Sequence, residues 1–319
     1  MLIQKQLFMK TKKIFGMIAI CMLSIITGCS KKNDNMTSSN QSIAVLVSSN
    51  ANLSLLKAAV VRAGLVETLS GSGTFTVFAP DNDAFAAAGL GSEDKINAVP
   101  VATLKNILLY HVSGQVYDSG SITTGTTEIN TAFQAKAYVT RNSNGIFVNG
   151  AVVKQADIRA NNGVVHIINK VLMPPPGNLV TTAQANANLT FLVAAVVRAS
   201  VGNTNVAQVL SGNGPYTVFA PTNAAFQAAG FASINAIQTA DPNTLANILT
   251  YHVIAGRILS TDLTDGAMPQ TLNGGKVTIS ISGGAKVKGN KNSTAANITA
   301  ADVIATNGVV HVIDQVLLP

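Results

Sequence analysis

Thr76–Gly89 reads TVFAPDNDAFAAAG and Thr217–Gly230 reads TVFAPTNAAFQAAG, identical at eleven of fourteen positions. Each version opens on a β-rich run that stops at a proline, Pro80 or Pro221, which cannot donate to a sheet ladder. Asp81 or Thr222 follows, both good helix N-caps, and then an alanine-rich run of good helix formers. Gly89 and Gly230 suit the left-handed position just past a helix end. The stretch therefore spells strand, corner, capped helix, and it is spelled twice without a shared acid or nucleophile: Asp83 is Ala224 in the second version.

Other blocks repeat around it in the same order. LSLLKAAVVRAG (53–64) returns as LTFLVAAVVRAS (189–200), LKNILLYHV (104–112) as LANILTYHV (245–253), and NGVVHIINKVLMP (162–174) as NGVVHVIDQVLLP (307–319). The offset drifts only between blocks, where loops belong, so the chain is a tandem duplication of one domain, with a period far longer than a solenoid repeat. Leu53, Leu56, Val60 and Leu65, with Leu55 and Ala59, form a helical stripe that Asn50 or Asn52 is placed to cap. Leu104, Ile107, Leu108 and His111 mark one face of a second helix. NGVVHIINKVLMP begins with a turn dipeptide and continues as a strand apolar on both faces, hence central. AKAYVT, GIFVNGAVV, KVTISIS and AKVKG add strands, which makes each copy an α+β domain, helix-rich first and strand-rich later. PPPGN (174–178) joins the copies as a short, stiff spacer that restricts their mutual orientation. The expected layout is a leader over 1–28, a flexible tether over 29–42, copy one over 43–174, the junction over 175–178 and copy two over 179–319.

The leader has a basic n-region (Lys5, Lys10, Lys12, Lys13) and a 15-residue apolar run over 14–28, short for a membrane span. It ends in Ile26-Thr27-Gly28-Cys29, which resembles the lipobox of bacterial lipoproteins, with Ile26 where leucine is usual. That resemblance implies cleavage before Cys29, acylation of Cys29 (palmitate among the chains) and attachment to a bilayer. Ser30 gives no inner-membrane retention signal, so the outer membrane is the expected site, facing the periplasm or the cell surface. The four leader lysines account for most of the formal charge of +7; each copy alone carries +1, which gives no case for nucleic-acid binding. Cys21 would leave with the leader and Cys29 would carry lipid, so no disulfide staples the fold.

Together the repeated blocks resemble the fasciclin-like domain family: TVFAPDNDAF and TVFAPTNAAF match its first signature, GVVHIINKVLMP and GVVHVIDQVLLP its second, and Tyr110-His111 and Tyr251-His252 its Tyr-His motif. The resemblance covers 43–319 and implies two domains, each a wedge-like β-sandwich with several helices. It also implies adhesion or matrix interaction outside the cell, without cofactors. The family's partner contact is attributed to an Asp-Ile motif before the second signature and to the Tyr-His region. The matching positions are Asp157-Ile158, Asp302-Val303, Tyr110-His111 and Tyr251-His252; the Glu-Pro that precedes the Asp in the family is Gln155-Ala156 here and Ala300-Ala301 in copy two.

The residues themselves favour plainer roles. His111, His166, His252 and His311 recur at matched places, with no Cys, Asp or Glu at zinc-ligand spacing, so they read as core histidines held by backbone groups. Asp157 and Asp302 stand just before a turn whose N–H groups they can satisfy. Carboxylates are scattered, and no nucleophile elbow, phosphate loop or dinucleotide fingerprint occurs; no catalytic residue, metal or cofactor is expected. The expected function is a lipid-anchored adhesion or interaction protein whose partner is an envelope or extracellular protein or matrix. The alternative is a glycan-binding accessory lipoprotein, for which the absence of Trp argues against stacking and in favour of hydrogen bonding along strand edges.

Overall fold

A computed structural model describes residues 40–319. Copy one runs α1 (Ile43–Ser49), α2 (Ser54–Arg62), α3 (Val66–Ser70), β1 (Phe75–Pro80), α4 (Asn82–Ala87), α5 (Glu93–Ala98), α6 (Val101–Tyr110) and β2 (Val112–Ser113). It continues with β3 (Gly125–Asn130), β4 (Lys136–Asn142), β5 (Gly145–Val148), β6 (Ala151–Ala160) and β7 (Gly163–Ile168). Copy two repeats the order: α7 (Leu179–Gln184), α8 (Thr190–Ala199), α9 (Val206–Ser211), β8 (Tyr216–Pro221), α10 (Asn223–Ala228), α11 (Ile234–Thr239), α12 (Pro242–Tyr251) and β9 (Val253–Ala255). Its last strands are β10 (Thr278–Ser280), β11 (Lys286–Lys288), β12 (Ala296–Ala305) and β13 (Gly308–Ile313). The expected leader and Cys29 lie outside the described residues.

Each copy is α+β around a sheet, ordered β2-β1-β7-β6-β5-β4-β3 in copy one and β10-β11-β12-β13-β8-β9 in copy two. β1 and β7 pair in parallel at the centre, and their alternate residues serve two cores. Val77, Ala79, Val165 and Ile167 pack under the helices. Phe78 and Ile168 turn to the other side, where Tyr110, Ile129, Val139 and Val148 fill the space inside the curling strands. Copy two divides the same way, with Val218, Val310 and Val312 under its helices and Phe219, Tyr251 and Ile313 opposite. A second-signature strand apolar on both faces is thus explained by a core on each side.

The opening motif forms the strand, corner and helix its residues dictate. Asp81 Oδ1 accepts the Ala84 N–H at 2.8 Å, and Thr222 Oγ1 accepts the Ala225 N–H at 3.2 Å. Gly89 and Gly230 end these helices at φ +77° and +97°. The structure adds a use for the asparagine both versions share. Asn82 Oδ1 accepts the Leu55 N–H at 3.1 Å while its amide donates to Ala51 O at 3.0 Å, so it caps α2 from across the fold. Asn223 does the same for Phe191 and Ala187. This corrects the expected local cap: Asn50 caps only the 3-10 turn Ala51–Leu53, and the Leu55 N–H in the first turn of α2 is met by a residue twenty-seven positions away.

The asparagine of the second signature is also internal. Asn162 accepts Ile43 N–H at 3.0 Å and donates to Leu69 O and Gly71 O, both at 2.9 Å; Asn307 binds Leu179, Leu210 and Gly212 alike. Next to it Gly163, at φ +150°, lies so close to β1 that a Cβ would fall 2.0 Å from Phe75 O.

The copies also pack on each other. Tyr138 of β4 joins Leu259, Ile304 and Val309 of copy two in one buried cluster, and the Arg257 guanidinium lies over its ring at 4.0 Å. Asn142 Nδ2 donates to Thr261 O at 3.1 Å, and Lys170 Nζ to Ala301 O at 3.3 Å. Gly150, at φ +76°, abuts the Asp302 carboxylate, where a Cβ would sit 2.0 Å from Oδ2.

Matched hydrogen bonds establish which residues correspond. Thr76 Oγ1 bonds Gln115 O and Tyr117 N as Thr217 Oγ1 bonds Gly256 O and Ile258 N. Counting from there, Leu259 corresponds to Asp118, and Ile304 to Arg159. In copy two this face is apolar and covered by copy one. In copy one it carries an Arg159–Asp118 ion pair at 2.7 Å that stays about one-third exposed. The two faces differ as a fully buried and a partly exposed surface should. Replacing Leu259→Asp together with Ile304→Arg, which writes the polar pair of copy one onto the covered face of copy two, is expected to part the copies without unfolding copy two. Small-angle scattering should then show a larger radius of gyration and proteolysis should open the 175–178 junction; an unchanged radius would contradict the interface.

Candidate functional site

The candidate positions fall into two constellations per copy, and each is built around a histidine. α6 ends at Tyr110, and His111 follows as its C-cap. The helical twist sends the two side chains to opposite cores. Tyr110 enters the strand-side core, where its hydroxyl donates to Lys136 O at 2.8 Å and accepts from Asn149 Nδ2 at 2.9 Å. Burial pushes the phenol well above its ordinary range, against the Asn149 hydrogen bond that pulls it down. Tyr251 bonds Lys276 O and the Asn290 N–H in the same manner.

His111 faces the helix-side core. Its Nδ1 lies 2.8 Å from Ile107 O, which can only accept, and its Nε2 lies 2.9 Å from the Leu172 N–H, which can only donate. These partners fix a neutral ring protonated on Nδ1. His252 repeats this with Ile248 O and the Leu317 N–H, both at 2.8 Å. Each imidazole thereby ties the end of a helix to the strand-like tail of its own copy. The surroundings are apolar and tight: a cavity of about 50 Å³ adjoins His252, among Leu192, Val196 and Leu249. Its counterpart at His111 is about 20 Å³. Desolvation lowers both pKa values to about 4, outweighing the backbone carbonyl that raises them.

The second constellation surrounds a bulge. β6 and β12 each slip register before Asp157 and Asp302, which adopt φ +59° and +60°, a left-handed conformation tolerated best by short polar side chains. The Asp157 carboxylate accepts the Ser119 N–H at 2.8 Å and the Ser119 hydroxyl, and Asp302 holds Ser260 by the same two bonds. The backbone N–H of each Asp donates to Nδ1 of the strand histidine, His166 at 3.2 Å and His311 at 3.3 Å. The opposite nitrogen donates to Tyr117 O at 2.8 Å or Ile258 O at 2.9 Å. These rings are again neutral, now protonated on Nε2. Burial lowers both of their pKa values. Burial tends to raise the Asp157 pKa, but the two Ser119 bonds outweigh it and hold the carboxyl below its ordinary value.

The structure separates the expected contact residues. Tyr110, His111, Tyr251 and His252 are at most 2% exposed, so the expected partner contact is corrected to an interior clamp: these side chains reach no surface. Asp302 is 7% exposed and lies against Gly150 of copy one, so it is equally withdrawn. Ile158 and Val303 are half-buried against the helix-side cores. Asp157 alone among the polar candidates remains partly open to solvent. Reading the sequence missed Ser119, Ser260, Asn149 and the capping asparagines. Asn82 and Asn223 were visible as the invariant letter of the doubled motif; Ser119 and Ser260 sit in otherwise dissimilar loops and carry no linear signal. Among the described residues no group of three or more His, Cys, Asp or Glu could hold a metal ion.

Neutral buried histidines make stability depend on acid. The folded pKa of about 4 lies below the unfolded value of 6.5, so the unfolded chain binds protons first as pH falls. The contribution is complete above about pH 6.5 and is lost progressively down to about pH 4, at about 3 kcal/mol for each ring. Urea unfolding at pH 7.5 and pH 5 should show this loss; a His111→Phe, His252→Phe chain should be less stable at pH 7.5 but show a flatter pH dependence. Equal acid sensitivity in both chains would contradict it.

The Fasciclin domain model matches residues 51–174 and 188–319. The chain is 30% identical over 252 residues to transforming growth factor-beta-induced protein ig-h3 of Sus scrofa, covering 79% of this chain and 35% of that one. It is 41% identical over 140 residues to protein sll1483 of Synechocystis, covering 44% of this chain and 77% of that one. A solved FAS1 domain pair from the insect cell adhesion molecule fasciclin I aligns at 18% identity and a TM-score of 0.40, over 83% of this chain and 96% of that one. The chain spans about a third of the length of the curated relatives it matches first. With the family model matched twice over most of its length, the chain belongs to the fasciclin-domain family and carries two such domains in tandem.

Proposed function

We propose that the chain is a lipid-anchored interaction protein that works outside the cytoplasm and binds a protein or matrix partner through its paired fasciclin domains, without catalysis. The observation that carries this reading is the packed contact between the domains: Tyr138, Leu259, Ile304 and Val309 close a cluster that holds two binding scaffolds at one spacing. Two weak contacts presented at fixed separation, on many anchored copies, gain avidity that neither has alone. The polar groups of the family motifs support it as well, since the Tyr-His pairs and the Asp bulges are consumed in holding the fold and leave no acid–base pair in a cleft. The anchor rests on the Ile26-Thr27-Gly28-Cys29 ending of the leader.

Replacing Cys29→Ala should move the protein from the membrane to the soluble fraction, and deleting the gene should reduce aggregation, biofilm formation or surface attachment of the cells. Protease treatment of intact cells reports which side the domains face. A Cys29→Ala protein that stays with the membrane contradicts the anchor; unchanged attachment in the deletion strain contradicts the adhesive role.

A further inference from the structure

All four lysines of the second domain, Lys276, Lys286, Lys288 and Lys291, fall within sixteen residues. β10 and β11 pair with Thr278 opposite Lys288 and Ser280 opposite Lys286. Val277, Ile279 and Val287 are buried in the strand-side core. Strand alternation therefore sets Lys276, Thr278, Ser280, Lys286 and Lys288 together on the outer face, with Asn297 of β12 beside Lys286. Lys276, Lys288 and Lys291 are exposed and Lys286 is half-exposed.

The charge on this face is uncompensated. The ion pairs among the described residues, Lys136–Glu128, Lys154 with Asp81 and Asp83, and Arg159–Asp118, all lie in the first domain. The five aspartates of the second domain each accept a backbone N–H instead: Asp241 from Thr244, Asp262 from Leu259, Asp265 from Ile281, Asp302 from Ser260 and Asp314 from Asn297. The corresponding lysine of the first domain shows the contrast. Lys136 and Lys276 both lend their carbonyl to the motif tyrosine, yet Lys136 is neutralised by Glu128 at 3.0 Å and Lys276 is not. The fold already uses this face for recognition in the first domain, where Tyr138, the counterpart of Thr278, docks onto the second domain. In the second domain the same face is open, polar and basic.

We infer that the β10–β11 face binds a linear acidic polysaccharide, its carboxylates or sulfates seated along Lys276, Lys286 and Lys288 and its hydroxyls met by Thr278, Ser280 and Asn297. Protection of a sheet edge does not account for the lysines, because Lys286 and Lys288 lie on β11, between β10 and β12, and point from the face. A bilayer surface is served by aromatic side chains among the lysines, and residues 276–291 contain none. The inference takes its setting, outside the cytoplasm, from the adhesive reading and gives that reading one ligand; the binding itself is measured on purified protein.

The test titrates the full-length protein with polygalacturonate, with dextran as neutral polymer, phosphatidylcholine vesicles carrying phosphatidylglycerol, and duplex DNA. The double variant Lys286→Glu, Lys288→Glu is compared with Lys57→Glu, Lys105→Glu, which makes the same charge change on exposed helix positions of the first domain. Polygalacturonate should bind saturably and dextran should not, with affinity falling at least about tenfold between about 50 and 200 mM salt. The 286/288 variant should lose at least about tenfold and the 57/105 variant less than about twofold. Lys286→Gln, Lys288→Gln replaces the Glu pair if that chain fails to fold, with a loss of about fivefold expected. No saturable binding, equal loss in both variants, or tighter binding to vesicles or DNA overturns the inference. No polysaccharide binding by the unaltered protein, with cell attachment still lost in the deletion strain, would sink this face and spare the adhesive role; saturable binding with attachment unchanged in that strain would sink the role and spare the face.

Discussion

A dry interior that must carry polar backbone groups needs partners with both a donor and an acceptor, and neutral imidazole is a side chain that offers one of each at a fixed distance. Four such rings organise this protein. His111 and His252 bridge the end of a helix to the tail of the domain; His166 and His311 bridge a central strand to the bulge beside it and to the loop beyond. Each joins segments far apart in sequence where no regular ladder reaches. The Asp bulges depend on them, since the N–H freed by the left-handed residue is the one that His166 or His311 accepts. The serine loops in turn depend on the bulges. Phe78 stacks on His166 at 5.6 Å, and Phe219 lies tilted beside His311 at 5.7 Å.

The duplication gives an internal control for what is scaffold and what is surface. Asparagines, histidines, tyrosines and bulge aspartates do the same work in both domains, so they belong to the fold. Where the domains differ, the difference follows exposure. Leu259 and Ile304 are apolar where the first domain covers them; Asp118 and Arg159 form an ion pair that stays about one-third exposed. Tyr138 anchors a covered sheet face, and its counterpart Thr278 stands on a free one among lysines. One backbone thus presents a docking face in one copy and a hydrated face in the other, and only side chains decide which.

Much of this fold was legible in the sequence because its signals are local. The proline stop, the Asp81 and Thr222 caps, the Gly89 and Gly230 helix ends and the alternation of KVTISIS are each determined within a few residues. The core role of the histidines was readable from their apolar surroundings. What was not legible lies in long-range satisfaction. Asn82 caps a helix before it in the chain, Asn162 joins three separate segments, and Ser119 meets Asp157 across thirty-eight residues. Contact at the Tyr-His positions was expected only from the family resemblance, while the histidines themselves read as core. The helix end in fact sends one to each core. The interface between domains was beyond reach too, since Tyr138, Leu259 and Ile304 are unremarkable letters until the two sheets meet.

The central claim, that neutral histidines of defined tautomer hold each domain together, is tested most directly by nitrogen-15 NMR of the four imidazoles as a function of pH. The structure requires His111 and His252 to carry their proton on Nδ1 and to stay neutral until about pH 4, and His166 and His311 to carry theirs on Nε2. Rings that titrate near the ordinary value of 6.5, or that show the opposite tautomers, would contradict it.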